Sequence, residues 1–144
     1  MSAPLVGSAE VQPNVDSNPA GTAEAFRYTA SATGTATRLS VYLDDANTAT
    51  SVIVRLYTNT SGGNPGVLLT SGTITSPKAE AWNTGSVPTI GVTAGTDYWL
   101  AVLAPHKGGL IKFRDLAGDT GGPTQTSAQK SLRSKAVMLL ANTL

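Results

Sequence analysis

The chain has no cysteine, one histidine, few charges and few aromatics. Without cysteine there is no disulfide framework, no thiol nucleophile, no thiolate zinc site and no iron–sulfur cluster. The compartment stays open, because many extracellular modules of bacteria also lack cysteine. No apolar run is long enough to span a bilayer, so no membrane insertion is expected. The N-terminus, Met-Ser-Ala-Pro-Leu-Val-Gly-Ser-Ala-Glu, lacks a basic region and an apolar core and does not read as a signal peptide. It reads as the start of an excised module carrying an added Met1, or of a chain made in the cytoplasm, such as a virion component. Charged residues make up only 13%, which is low for a cytosolic enzyme, and the net charge of +1 provides no global field for nucleic acid or an anionic membrane.

The absences extend to catalysis. A Ser–His–acid triad would have to use His106, which stands in a turn-like Pro-His-Lys-Gly-Gly stretch with no Gly-x-Ser-x-Gly elbow anywhere in the chain. Asp44 and Asp45 are neighbours in a loop, and Glu24 and Glu80 read as solvated strand-edge residues, so no spacing pairs two carboxylates for glycoside hydrolysis. Gly62-Gly63-Asn64-Pro65-Gly66 has no lysine and no following helix, and reads as a turn rather than a phosphate cradle. Basic residues are not interleaved with aromatics, which argues against nucleic-acid binding. The chain is expected not to be an enzyme and to carry no cofactor. The first cation candidate is calcium on the oxygens of Asp44, Asp45 and Asn47, with Asp16-Ser17-Asn18 and Asp115 to Asp119 as weaker ones. Asp and Asn are also ordinary turn residues, and the turn reading is preferred.

What is present is strand alternation punctuated by turns. Thr37 to Leu43 sets Leu39, Val41 and Leu43 against Arg38, Ser40 and Tyr42. Ser51 to Thr58 sets Val52, Val54 and Leu56 against Ile53, Arg55 and Tyr57. Thr93 to Pro105 is the most informative stretch. A Gly turn leads into a strand with Tyr98, Leu100 and Val102 on one side and Trp99, Ala101 and Leu103 on the other. Both sides are apolar, which places this strand inside a sheet rather than at its edge. Further strands are expected over Gly21 to Ala32, over Val67 to Thr75 with a break near Gly72, over Val87 to Val92 after a Trp82-bearing segment, and over Leu110 to Asp115. Ala117 to Thr126 reads as a loop. The fold class is all-β, a two-sheet antiparallel sandwich, jelly-roll-like, of about eight or nine strands. Residues 1–17 read as a lead-in, 18–129 as the sandwich, and 130–144 as a tail or closing strand.

Three phrases carry a resemblance. They are Ala23-Glu24-Ala25-Phe26-Arg27-Tyr28-Thr29-Ala30; Leu56-Tyr57 followed by Gly62 to Leu69; and Trp82-Asn83 with Val92-Thr93-Ala94-Gly95-Thr96-Asp97-Tyr98-Trp99. In this order they resemble a jelly-roll-like β-sandwich accessory module of secreted multidomain bacterial proteins, mostly without an assigned function, over roughly Asn18 to Gln129. The resemblance implies an extracellular setting and non-catalytic service beside carbohydrate-active or fibronectin-like domains. This chain departs from the pattern in its last residues.

Two functions follow as expectations. The first is an extracellular binding or adhesion module for a glycan or cell-surface polymer. Sugars stack on aromatic rings and are oriented by polar groups, and Tyr42, Tyr57, Trp82, Asn83 and Arg55 are the candidates. Trp82 and Trp99 compete for service in the core, since only eight aromatics are available to fill it. The second is a self-associating structural subunit of a filament, capsid decoration or virion, at a particle or cell surface. Its candidate is the apolar run Val137-Met138-Leu139-Leu140, which would add a strand to a homo-oligomeric neighbour or dock on its own domain. The basic C-terminal end, Lys107, Lys112, Arg114, Lys130, Arg133 and Lys135 against Asp115 and Asp119, fits an acidic neighbouring surface or a solvated tail.

Overall fold

The computed structural model describes residues 4–7, 14–18, 20–21, 23–105, 108–115 and 138–142. These hold ten strands: β1 (Pro4–Gly7), β2 (Asn14–Asn18), β3 (Ala23–Thr29), β4 (Gly34–Leu43), β5 (Ser51–Asn59), β6 (Pro65–Thr75), β7 (Ala81–Val92), β8 (Asp97–Leu103), β9 (Ile111–Asp115) and β10 (Met138–Asn142). No helix occurs among the described residues, so none there is long and apolar enough to cross a membrane. His106, Lys107, the segment 116–137 and with it Val137 lie outside the described residues.

The strands form two antiparallel sheets. The smaller has the order β3-β8-β5-β6. In the larger, β4 is central. One edge of β4 pairs with β7 from Gly34 to Leu43. The other edge is shared. Over Ala36 to Val41 it takes β10, which β1 extends, and at Leu43 it meets β9, which β2 extends. Leaving aside β1 and β10, the larger sheet reads β2-β9-β4-β7 and faces β3-β8-β5-β6. This is the strand order of a jelly roll, two Greek keys folded onto each other.

The alternation read in the sequence decides which faces meet. Leu39, Val41 and Leu43 of β4, Val52, Val54 and Leu56 of β5, and Leu100 and Val102 of β8 are buried between the sheets. Phe26 and Phe113 join the layers edge to face, with centroids 5.7 Å apart. Tyr98 points inward too, and its hydroxyl accepts the Thr93 amide at 2.9 Å. β8 lies between β3 and β5, as its two apolar faces required.

Several expectations change. β1 and all of β2 except Asn18 lie in the stretch read as lead-in. Their ladders are contributed by β10 and β9, remote in sequence, and neither strand has a hydrophobic alternation of its own. β6 runs unbroken through Gly72, and β7 joins the Trp82-bearing segment and Val87 to Val92 in one strand. Glu24, expected at a solvated strand edge, is fully buried, because it shares the inward side of β3 with Phe26. Its register partner is the core residue Val102. The register of β3 follows Phe26 and Tyr28, and Glu24 is carried in with them.

Candidate functional site

The five ligand candidates do not form one platform. β4 and β5 belong to different sheets, so Tyr42 and Tyr57 look out from opposite sides of the sandwich.

On the larger sheet, Tyr42 and Trp82 are direct cross-strand partners. Both are half-buried and lock each other edge to face, at 5.8 Å and 80°. Below them Ser40 and Thr84 share a hydroxyl–hydroxyl bond of 2.8 Å. Asn83 lies between Trp82 and Thr84 in sequence but points to the other face and is buried. Its Oδ1 accepts the Lys78 amide at 2.7 Å, and its Nδ2 donates to the carbonyls of Lys78 and Ala81 at 2.8 and 3.0 Å. The β6–β7 turn it clamps holds Ser76 and Glu80 at positive φ, 50° and 54°. Left-handed backbone costs a non-glycine residue about 1–2 kcal/mol, and these three bonds offset it. Asn83 is therefore a turn clamp, with both groups of its buried amide already engaged by the turn backbone. Asn83→Ala is expected to cost about 1–3 kcal/mol, the penalty for orphaning buried polar groups. Urea denaturation checks this, and a loss under about 0.5 kcal/mol, typical of an unremarkable surface change, would deny the clamp.

The Asp44–Thr50 loop uses its oxygens in the same way. Asp44 Oδ2 accepts the Ala46 amide at 3.0 Å, and Asn47 Oδ1 accepts the Lys112 amide at 3.0 Å. These bonds close the loop and tie it to β9, while Asp45 is exposed. Among the described residues no three acidic or histidine side chains converge as a metal site would need.

The outer face of the smaller sheet has more chemistry. Cross-strand register sets three rows on it. Ala23, Leu103, Ile53 and Thr73 form the first, Ala25, Ala101, Arg55 and Ser71 the second, and Arg27, Trp99, Tyr57 and Leu68 the third. The middle row is low because two of its members are alanine, and the rows beside it are tall. The result is a trough with an alanine floor and a cavity of about 50 Å³, whose lining includes Ala23, Ile53, Arg55, Tyr57, Ala101 and Leu103.

Behind the Tyr57 wall of the trough lies a rigid, buried cluster. Trp99 has no exposed surface, although it faces away from the sandwich core. Ala25, Ala101 and Tyr57 pack around it, its Nε1 donates to Asn59 Oδ1 at 2.9 Å, and the Arg27 guanidinium stands 5.9 Å from its ring centroid. Gly63, at φ 76°, lets the β5–β6 turn come close to Arg27, since a Cβ there would sit 3.1 Å from Nη1. Arg55 Nη1 donates to the Tyr57 hydroxyl at 3.3 Å. Arg55 Nε is buried and has no hydrogen-bond partner in the protein.

Alternation in β5 had already put Arg55 and Tyr57 on one side. The parts the sequence reading missed are Ala23, Ala25 and Ala101, whose importance is that they are small. Their signal was an Ala-x-Ala-x-Arg spacing in β3 matched by Trp-x-Ala-x-Leu in β8, which becomes a trough only once the two strands are paired.

The class of protein that fold and face define is a jelly-roll β-sandwich with a shallow, aromatic-walled, arginine-bearing trough on one outer face. Neither a model of a known protein family nor a curated protein sequence matches the chain.

Proposed function

We propose that the protein is a non-catalytic binding module, extracellular or at a cell or particle surface, whose ligand is a glycan held across this trough. The observation that carries the reading is the pairing of an apolar, aromatic-walled trough with the polar heads of Arg55 and Tyr57 at its rim. A sugar ring has the complementary surface, a C–H face that packs on apolar and aromatic groups and a periphery of hydroxyls that need donors and acceptors. Pockets that engulf a small molecule run to about 300–1,000 Å³. A trough this small suits a polymer lying across the sheet and lowering one ring or substituent into it. The resemblance to accessory modules of secreted bacterial proteins supports the same reading.

Retention on immobilised polysaccharides tests it. Tyr57→Ala is expected to weaken binding about tenfold or more, a loss of about 1.4 kcal/mol, while the domain stays folded. Binding that survives Tyr57→Ala but falls with Tyr42→Ala or Trp82→Ala would move the site to the larger sheet.

A second reading, a self-associating structural subunit, is favoured by one observation. Met138, Leu139 and Leu140 belong to β10, the strand that fills the space between β1 and β4. A strand whose ladder partners β1 and β4 are both remote from it in sequence is the kind that neighbouring copies exchange. Light scattering on the full chain and on a form ending at Gln129 tests this. An assembly that the shortened form dissolves supports strand exchange, and a monomer at all concentrations rejects it.

A further inference from the structure

We infer that the ligand of the trough is an acidic polysaccharide, and that its carboxylate or sulfate group docks on Arg55. This rests on the glycan reading and narrows it.

The Nε–H of Arg55 is buried and has no acceptor in the protein. A buried donor without an acceptor is rare in folded proteins and calls for an explanation. Arg55 lines the cavity of the trough, and its guanidinium is already oriented by the Tyr57 hydroxyl, so a small shift of the side chain would present this donor to a bound anion.

Charge points the same way. The neighbours of Arg55 on the face are Ala101 and Ser71 across the strands and Ile53 and Tyr57 along β5, none of them acidic. The described carboxylates lie elsewhere, Asp16 and Asp115 on β2 and β9 of the larger sheet. Glu24 faces the core, and Asp44 and Asp45 sit in the β4–β5 loop. Glu80 sits in the β6–β7 turn, and Asp97, at the start of β8, accepts the Thr29 hydroxyl.

A neutral hydroxyl could accept the Nε–H but would leave the positive charge uncompensated in a partly desolvated place. An anionic oxygen pair does both, and charge-assisted bonds to a guanidinium are roughly twice as strong as neutral ones. Arg27 adds a second cation on the same face, above Trp99. Two arginines beside one aromatic-walled trough suit a chain with repeated negative groups better than a single small anion.

Affinity electrophoresis of the full chain through gels containing dextran, dextran sulfate or polygalacturonate tests the inference. The expected result is retardation by one of the charged polymers at least tenfold stronger than by dextran. Arg55→Gln should reduce it about tenfold or more. Arg55→Lys should reduce it nearly as much, because lysine keeps the charge but has no Nε–H fork. Thermal unfolding of both variants should stay close to that of the parent. Arg38→Gln, on the opposite sheet, serves as the charge control.

Equal retardation by dextran with no effect of Arg55→Gln overturns the anionic preference and leaves the glycan reading standing. Retardation by the charged polymers that Arg38→Gln weakens as much as Arg55→Gln overturns the assignment to Arg55. Displacement by sodium sulfate beyond that by sodium chloride of equal ionic strength shows a simple anion site and overturns the polysaccharide. No retardation by any polymer overturns this inference together with the glycan reading.

Discussion

Replacing Trp99 with alanine is expected to lower the free energy of unfolding by about 3–5 kcal/mol, the range for emptying a buried aromatic site. Domains of this size have about 5–15 kcal/mol in total, so the variant loses a large part of its stability. An outer-face residue would ordinarily cost far less, because its ring would exchange water for water. Trp99 differs in being fully buried. Removing it leaves Ala25, Ala101 and Tyr57 without the group they pack on and Asn59 Oδ1 without its donor. Trp82, half-buried on the other sheet, provides the comparison, and Trp82→Ala should cost clearly less. Urea denaturation of the two variants measures both. A Trp99→Ala cost no larger than that of Trp82→Ala would mean that the outer cluster contributes little to the fold.

Gly72→Ala is expected to cost about 3 kcal/mol or more, the upper end for forcing extra atoms into a packed site. β6 and β7 are edge strands of opposite sheets and close one side of the sandwich against each other. A methyl on Gly72 would overlap the Ser86 carbonyl oxygen and come within 2.9 Å of Val87 Cγ1. A side chain could rotate away, but a carbonyl in a ladder cannot. Ser86 is paired with Arg38, and moving it would strain the β4–β7 register. Gly91, in the same strand β7, is the control, since a Cβ there meets nothing within 4 Å. Gly91→Ala is expected to be neutral or slightly stabilising, because it restricts the unfolded chain without a native clash. Thermal unfolding of the pair decides the point. Equal melting temperatures would show that the seam between the sheets is loose enough to admit a methyl.

The function tests fall on different residues from these stability tests. Arg55 and Tyr57 are half-buried at the rim of the trough, and substitutions there should change binding with little change in melting. Trp99, Gly72 and Asn83 should change melting first. This separation distinguishes a lost ligand contact from a lost fold.

Much of the architecture was legible in the sequence, for a physical reason. A strand's side chains alternate with period two, so β4, β5, β8 and β9 declared themselves, and β4 declared its inward face because one side was apolar and the other polar. The two apolar faces of β8 also placed it inside a sheet. Local periodicity could not say which face of β8 meets the opposite sheet, and Trp99 was read as competing for the central core. It belongs to an outer cluster made by residues from β3 and β5. Glu24 shows the same limit, because the side a charged residue takes is set by its stronger neighbours Phe26 and Tyr28. β1 and β2 were not legible as paired strands, and β10 was legible only as a tail or closing strand without a partner, since short segments acquire their ladder only from partners far along the chain.

The candidate site divides in the same way. The sequence alone determined that Arg55 and Tyr57 share a face, that the chain has no thiol chemistry, and that its strands form a two-layer sandwich. Tertiary structure decided that Tyr42 and Tyr57 lie on opposite sheets, that Asn83 is spent on a turn, and that two paired alanines, Ala25 and Ala101, make the low row of a trough. Alternation along one strand is a local property of the backbone. The depth of a surface depends on which small residues are brought beside which large ones, and only strand register settles that.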